Sequence, residues 1–220
     1  SYNYAQAMAF APETTQLGFL SNFDYKISEK LSLYATLRAQ RNENLWNMAP
    51  NAGAFTIPAA TLATRPDFNF SHGELFPTAD AMVKYRASAW GNRTWDETNT
   101  IFGANVGLKG ELAKDWEWNV SIGRAESEKD TNSPDGFFLK APVEAAIASG
   151  AFNPFETNLA DPQLNAIVVS TAYEPTVVNK TRMHTYDASL TGEVFELPGG
   201  KAGLAVGVSR FDQFYGLNID

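Results

Sequence analysis

Side-chain character alternates strictly along six stretches of the chain. Strict alternation marks a strand with two unlike faces, because successive side chains point to opposite sides of a sheet. In residues 17–27, Leu17, Phe19, Ser21, Phe23, Tyr25 and Ile27 fall on one side, with Asn22, Asp24 and Lys26 between them. Residues 31–40 set Leu31, Leu33, Ala35, Leu37 and Ala39 against Ser32, Tyr34, Thr36, Arg38 and Gln40. Residues 102–109 alternate Phe102, Ala104, Val106 and Leu108 with Gly103, Asn105, Gly107 and Lys109, and residues 117–123 set Trp118, Val120 and Ile122 against Glu117, Asn119, Ser121 and Gly123. In the last pair, Tyr186, Ala188, Leu190, Gly192 and Val194 oppose Thr185, Asp187, Ser189, Thr191 and Glu193. After a turn, Ala202, Leu204, Val206 and Val208 oppose Gly203, Ala205, Gly207 and Ser209.

The turns within each pair are short and polar: Ser28-Glu29-Lys30, Ala113-Lys114-Asp115 and Pro198-Gly199-Gly200. These residue types suit hairpin connections, so the pattern predicts three β-hairpins. Between hairpins the connections are very long, residues 43–98 and 126–180, where compact soluble domains commonly use about 4–6 residues. Short turns at one end of a sheet and long loops at the other are the arrangement of an outer-membrane barrel. The expected fold class is therefore all-β, an antiparallel transmembrane β-barrel segment of about six amphipathic strands. An open sheet would leave unpaired backbone facing lipid, so the remaining strands are expected on chain outside these residues.

Residues 82–89 also alternate, Val83, Tyr85, Ala87 and Ala89 against Lys84, Arg86 and Ser88. A crossing there would bring the next strand to the wrong side, which assigns this stretch to a hairpin standing above the membrane. Residues 142–149 form one expected helix, with Pro142 at an early helical position and Gly150 as its stop. Aromatic residues lie near the short turns, Phe23, Tyr25, Trp116, Trp118 and Phe195, at the level where barrels carry aromatic girdles.

Composition alone, 220 residues with 44% hydrophobic and 19% charged, describes an ordinary soluble protein and would mislead. A net charge of −8 without clustered Lys or Arg argues against nucleic acid. Absence of cysteine removes disulfides, thiolate metal sites and Cys nucleophiles. The start, Ser1-Tyr2-Asn3-Tyr4-Ala5, lacks the features of a signal peptide and is read as a cut from a longer mature chain. No apolar run approaches the length of a transmembrane helix.

Catalytic chemistry finds little support. The histidines are His72, expected in a loop, and His184, expected near the outer end of a strand on its apolar parity; their spacing does not suit zinc. Asp187 and Glu193 share a polar face with Asp24, Asn105 and Asn119 and can be imagined as an acid–base pair, but a water-facing barrel wall accounts for them better. Asn92-Arg93-Thr94 and Asn179-Lys180-Thr181 fit the glycosylation pattern by chance. The long loops carry Trp46, Phe55, Phe68, Phe70, Phe76, Trp90, Trp95, Phe137, Phe138, Phe152 and Phe155. Loops of this kind often bind ligands, although loop-to-loop packing is the expectation for most of these aromatics. No catalytic, cofactor-binding or metal-binding residue is assigned, and no ligand-binding residue can be named.

Three passages carry a family resemblance. Gly107-Leu108-Lys109-Gly110-Glu111-Leu112 followed by Trp116-Glu117-Trp118-Asn119-Val120 resembles a strand-turn-strand passage of TonB-dependent outer-membrane receptors, and Ser149-Gly150-Ala151-Phe152-Asn153-Pro154-Phe155 resembles one of their extracellular loop passages. Gly192 to Val208, around Leu197-Pro198-Gly199-Gly200, is similar to that family's periplasmic turn with its flanking strands. The resemblance spans roughly residues 100–211 and implies that residues 1–220 are part of one barrel domain of about 22 strands around a plug. The plug and the coupling segment are not seen in these residues.

The same resemblance implies a receptor and transporter in the outer membrane of a Gram-negative bacterium. Its partners would be outer-membrane lipid, a nutrient ligand and an inner-membrane energy-coupling complex, with no cofactor and no enzymatic activity. Siderophore, oligosaccharide, peptide and vitamin complex all stay open as ligands. The alternatives are a soluble β-sandwich binding module, for example for carbohydrate, in which each apolar face packs on a second sheet, and an outer-membrane hydrolase barrel working through His184 and Asp187.

Overall fold

A computed structural model describes residues 3–65, 68, 79–113, 116–154 and 160–219. It is all-β, dominated by one antiparallel sheet of six strands: β1 (Glu13–Ser28), β2 (Leu31–Met48), β5 (Arg93–Ala113), β6 (Trp116–Asn132), β7 (Thr176–Leu197) and β8 (Gly200–Ile219). Their order in the sheet, β1-β2-β5-β6-β7-β8, is their order in the chain. The sheet is not closed: among the described residues β1 and β8 are its two edges.

All three expected hairpins are present, and register keeps the expected faces together. Reading across the sheet, Phe23 pairs with Ala35, Ala35 with Val106, Val106 with Ile122, Ile122 with Tyr186, and Tyr186 with Arg210. Directly paired residues share a face, so one side of the sheet carries the apolar parity of every strand. The turn residues Lys114 and Asp115 lie outside the described residues, but Ala113 and Trp116 pair across them.

Two corrections to the sequence reading concern the strands. They are much longer than the alternating stretches; β7, expected over 185–194, runs 22 residues, roughly 70 Å at strand rise. Alternation fades where charged side chains enter the apolar parity, as at Arg124 and Glu126, yet the backbone ladder continues. The long connections accordingly shrink to residues 49–92 and 133–175. In addition, every hairpin has a register shift shortly before its turn, at Lys26/Ser28, Glu111/Ala113 and Glu193/Phe195. Ile27, Leu112 and Val194 are thereby the extra residues of β-bulges. Past the last of these, Phe195 opposite Ala202, not Val194, continues the apolar face.

The long connections are themselves folded. The first contains β3 (Ala52–Ile57), α1 (Ala59–Thr64) and β4 (Ala81–Arg86), with β3 and β4 paired in a separate two-stranded sheet, which removes residues 82–89 from the main sheet as expected. The second contains α2 (Lys140–Ala148), the expected helix begun two residues early, and α3 (Pro162–Thr171), which was not anticipated. Helix α3 starts on a strong local signal: the Asp161 side chain accepts from the amides of Gln163 at 2.7 Å and Leu164 at 3.0 Å, with Pro162 at the first helical position. No described helix is long and apolar enough to cross a membrane.

Candidate functional site: two sheet faces and a loop cap

The two connections pack into one small cap at the end of the sheet opposite the short turns. Its core contains Phe55, Ile57, Leu62, Phe68, Val83 and Trp90 from the first connection, with Val143, Ile147, Phe152 and Leu164 from the second. The Trp90 ring lies 4.7 Å from Phe138 and meets Phe152 edge-on at 5.7 Å, while Phe55 lies 6.2 Å from Phe138, all within the range of favourable aromatic pairs. Polar groups cross the same seam. The Trp90 indole donates to the Thr171 hydroxyl at 3.1 Å, and the Thr61 hydroxyl donates to the Ala148 carbonyl at 2.5 Å.

The aromatics of the loops thus serve mainly to join them. Trp46 and Trp95 are different: they are half-exposed and directly opposite one another in β2 and β5. Phe70, Phe76, Phe155 and His72 lie outside the described residues. Tyr85, half-buried and edge-on to Phe152, has its hydroxyl pushed up to about 12 because burial disfavours the charged phenolate.

The main sheet supplies none of that core. On its apolar face Phe23, Ile122, Val206 and Val208 are all more than half exposed, Val208 at 69%. A sandwich would pack this face on a second sheet; the one other sheet among the described residues is the two-stranded β3–β4 pair, which belongs to the cap. Near the turns the face is aromatic. Phe23 stacks beside Tyr25 at 6.3 Å, Phe195 is exposed, and Trp116 and Trp118 lie over Gly192 and Gly110, their register partners. A side chain at Gly192 would occupy the space of the Trp116 ring, and one at Gly110 would strike the Lys30 carbonyl and crowd the Trp118 ring.

The opposite face is a polar ladder. Lys109 bonds Asp24 at 2.5 Å, the Tyr34 hydroxyl donates to Asn119 at 2.8 Å, Thr36 donates to Asn22 at 3.0 Å, and Ser209 donates to Asp187 at 2.6 Å. Tyr34 reaches Asn119 by lying over Gly107, its register partner. The Asn105 side-chain oxygen is buried there without a partner among the described residues.

The imagined acid–base pair is not brought together. Asp187 and Glu193 are six residues apart on β7, roughly 20 Å at strand rise, and Glu193 is joined to Lys201 across the hairpin. His184 is on the apolar side, between Arg124 and Asp212 in register, so it does not share a face with Asp187. Of the two glycosylation-like triplets, Asn92 donates to the Ala7 carbonyl and Asn179 accepts from the Tyr215 hydroxyl.

No protein-family model matches the chain, and no curated protein is significantly similar to it. The likeness to TonB-dependent receptors therefore rests on the three sequence passages and their agreement with the hairpins. What the geometry offers is a sheet with one apolar and one polar face, with a compact body of loops at one end.

Proposed function

We propose that this chain is part of the wall and extracellular cap of an outer-membrane receptor of the TonB-dependent type, which captures a nutrient outside the cell and admits it through a plugged lumen. The observation carrying the reading is the shared register of six long strands that leave one continuous apolar face exposed and place hydrogen-bonded polar groups on the other. A lipid medium makes that exposure favourable over so wide a surface.

In this reading the short turns face the periplasm and the cap faces outward. Further strands pair with β1 and β8, because open edges are not tolerated in lipid. The lumen-facing ladder lines a hydrated path, and a plug segment links it to the inner-membrane coupling complex. The protein binds and transports; it performs no bond chemistry. Selectivity belongs to the cap surface, and the ligand class stays open among siderophore, oligosaccharide, peptide and vitamin complex.

The test is fractionation of cells making the full-length protein, with protease applied to intact cells and antibodies against residues 49–92. Recovery in the outer membrane with cleavage in the cap is the expected result. A protein that remains soluble without detergent would overturn the assignment.

A further inference from the structure

Directly above the apolar band, on the same side of the sheet, the side chains become charged. Arg124 and Glu126 on β6, Arg182 and His184 on β7, and Arg210 and Asp212 on β8 occupy adjoining register rows. Two guanidiniums share one carboxylate: Arg124 and Arg182 both bond Glu126, at 2.5 Å and 2.6 Å. Arg210 is held to Asp212 at 3.1 Å and its side chain is 74% exposed. In these rows three guanidiniums and an imidazole meet two carboxylates, and the next row on the same face adds Lys180 paired with Glu128 at 2.8 Å. A guanidinium has five donors, and each of these spends only part of them.

Below this cluster the same face is hollowed. A groove of about 600 Å³ runs along Val106, Val120, Ile122, Ala188 and Val208 and ends at Arg210. A second, of about 370 Å³, shares Val106, Ile122 and Tyr186 with it and ends at Arg124 and His184. The His184 Nε2 is buried there without a partner among the described residues. Apolar troughs that end in unsaturated guanidiniums match one kind of molecule, acyl chains carrying an anionic headgroup. Phosphate fits best, because its oxygens accept from forked guanidiniums.

We propose that this face holds a phosphate-headed membrane lipid, with acyl chains in the paired grooves and the phosphate on Arg124, Arg182 and Arg210. The proposal rests on the membrane-barrel reading, which turns this face toward lipid. The site fixes the height of the wall in the bilayer, since the arginine row and the apolar band must meet the headgroup and chain levels together.

The experiment is native mass spectrometry of the full-length protein extracted in mild detergent. Phosphatidic acid is offered against diacylglycerol with the same acyl chains. Wild type should retain phosphatidic acid in preference. The triple variant R124Q/R182Q/R210Q should lose at least about tenfold of that retention, the scale of one charge-assisted hydrogen bond. R210Q alone, at an exposed site, should give a partial loss and serves if the triple variant fails to fold. A188W, which fills the larger groove without altering charge, should also weaken retention.

Equal retention of the two lipids, or arginine variants that bind as wild type does, would overturn the proposal. So would displacement of phosphatidic acid by inorganic phosphate with A188W unaffected, which would mark a site for the free anion. A protein recovered in the soluble fraction instead refutes the barrel reading itself; one recovered in the membrane without phosphate preference refutes only the lipid site.

Discussion

Ile122 in the sheet and Ile147 in the cap are the same residue in opposite settings, the first 56% exposed and the second with no accessible surface. The contrast extends to the regions around them. The cap is stabilised as a small soluble domain is, by removing Trp90, Phe152, Val143 and Leu164 from water across a seam between distant parts of the chain. The sheet is held by its backbone ladder and by cross-strand pairs, and its apolar side chains contribute little within the chain itself. A region whose greasy face is left open depends for its stability on the medium around it, whereas a region with its own dry core does not.

The largest effect that would test this contrast is expected at Trp90. Trp90→Ala removes a buried ring that joins both connections and leaves the Thr171 hydroxyl without its donor. It should destabilise the cap by about 3–5 kcal/mol. Hydrogen exchange should show amides of α2 and α3 losing protection while those of β5 to β8 keep theirs; loss in both regions would mean that cap and sheet are one cooperative unit.

Ile122→Lys asks the converse question. If the apolar face meets lipid, a lysine near its middle costs about 2–4 kcal/mol, read as a lower midpoint for unfolding from bilayers. A variant as stable as the parent would place that face in water. The same change should leave the cap's own unfolding untouched.

The smallest effect is one of pH. Folding raises the Tyr85 hydroxyl to about 12 from its ordinary value near 10. The folded form therefore holds its proton more tightly, and the associated stability is complete below pH 10 and lost as pH climbs toward 12. The loss is of order 2 kcal/mol, and Tyr85→Phe should abolish the pH dependence of cap unfolding in that window. Persistence of the slope in the variant would assign it to another group.

The strands, their pairing and their faces were legible because alternation is a local signal that each residue reports with its neighbours. Strand ends were not, because Arg124, Glu126, Arg182 and Asp212 place charge on the apolar parity and erase the alternation while the backbone goes on pairing. The bulge at Val194 was hidden because a β-branched apolar residue fits the alternation whether or not it pairs. The Asp161-Pro162 start of α3 was readable and overlooked, since it lies in a stretch without apolar periodicity. Packing of the loop aromatics on one another was expected, but their pairing was beyond reach: Phe55 meets Phe138 across more than eighty residues, and no periodic pattern announces such a contact. The arginine cluster too becomes visible only once register brings three strands side by side.

The bulges have a consequence for how a wall of this kind can change. Each hairpin carries its own extra residue within a few positions of its turn, at Ile27, Leu112 and Val194, and so sets its offset internally. Registration is then a local property that no hairpin inherits from the one before it. Two strands added or removed together return the chain to the same end of the sheet and leave the apolar and polar facing of every neighbour unchanged. The sheet can grow or shrink by whole hairpins, and a gene that duplicates one such unit receives a correctly oriented panel.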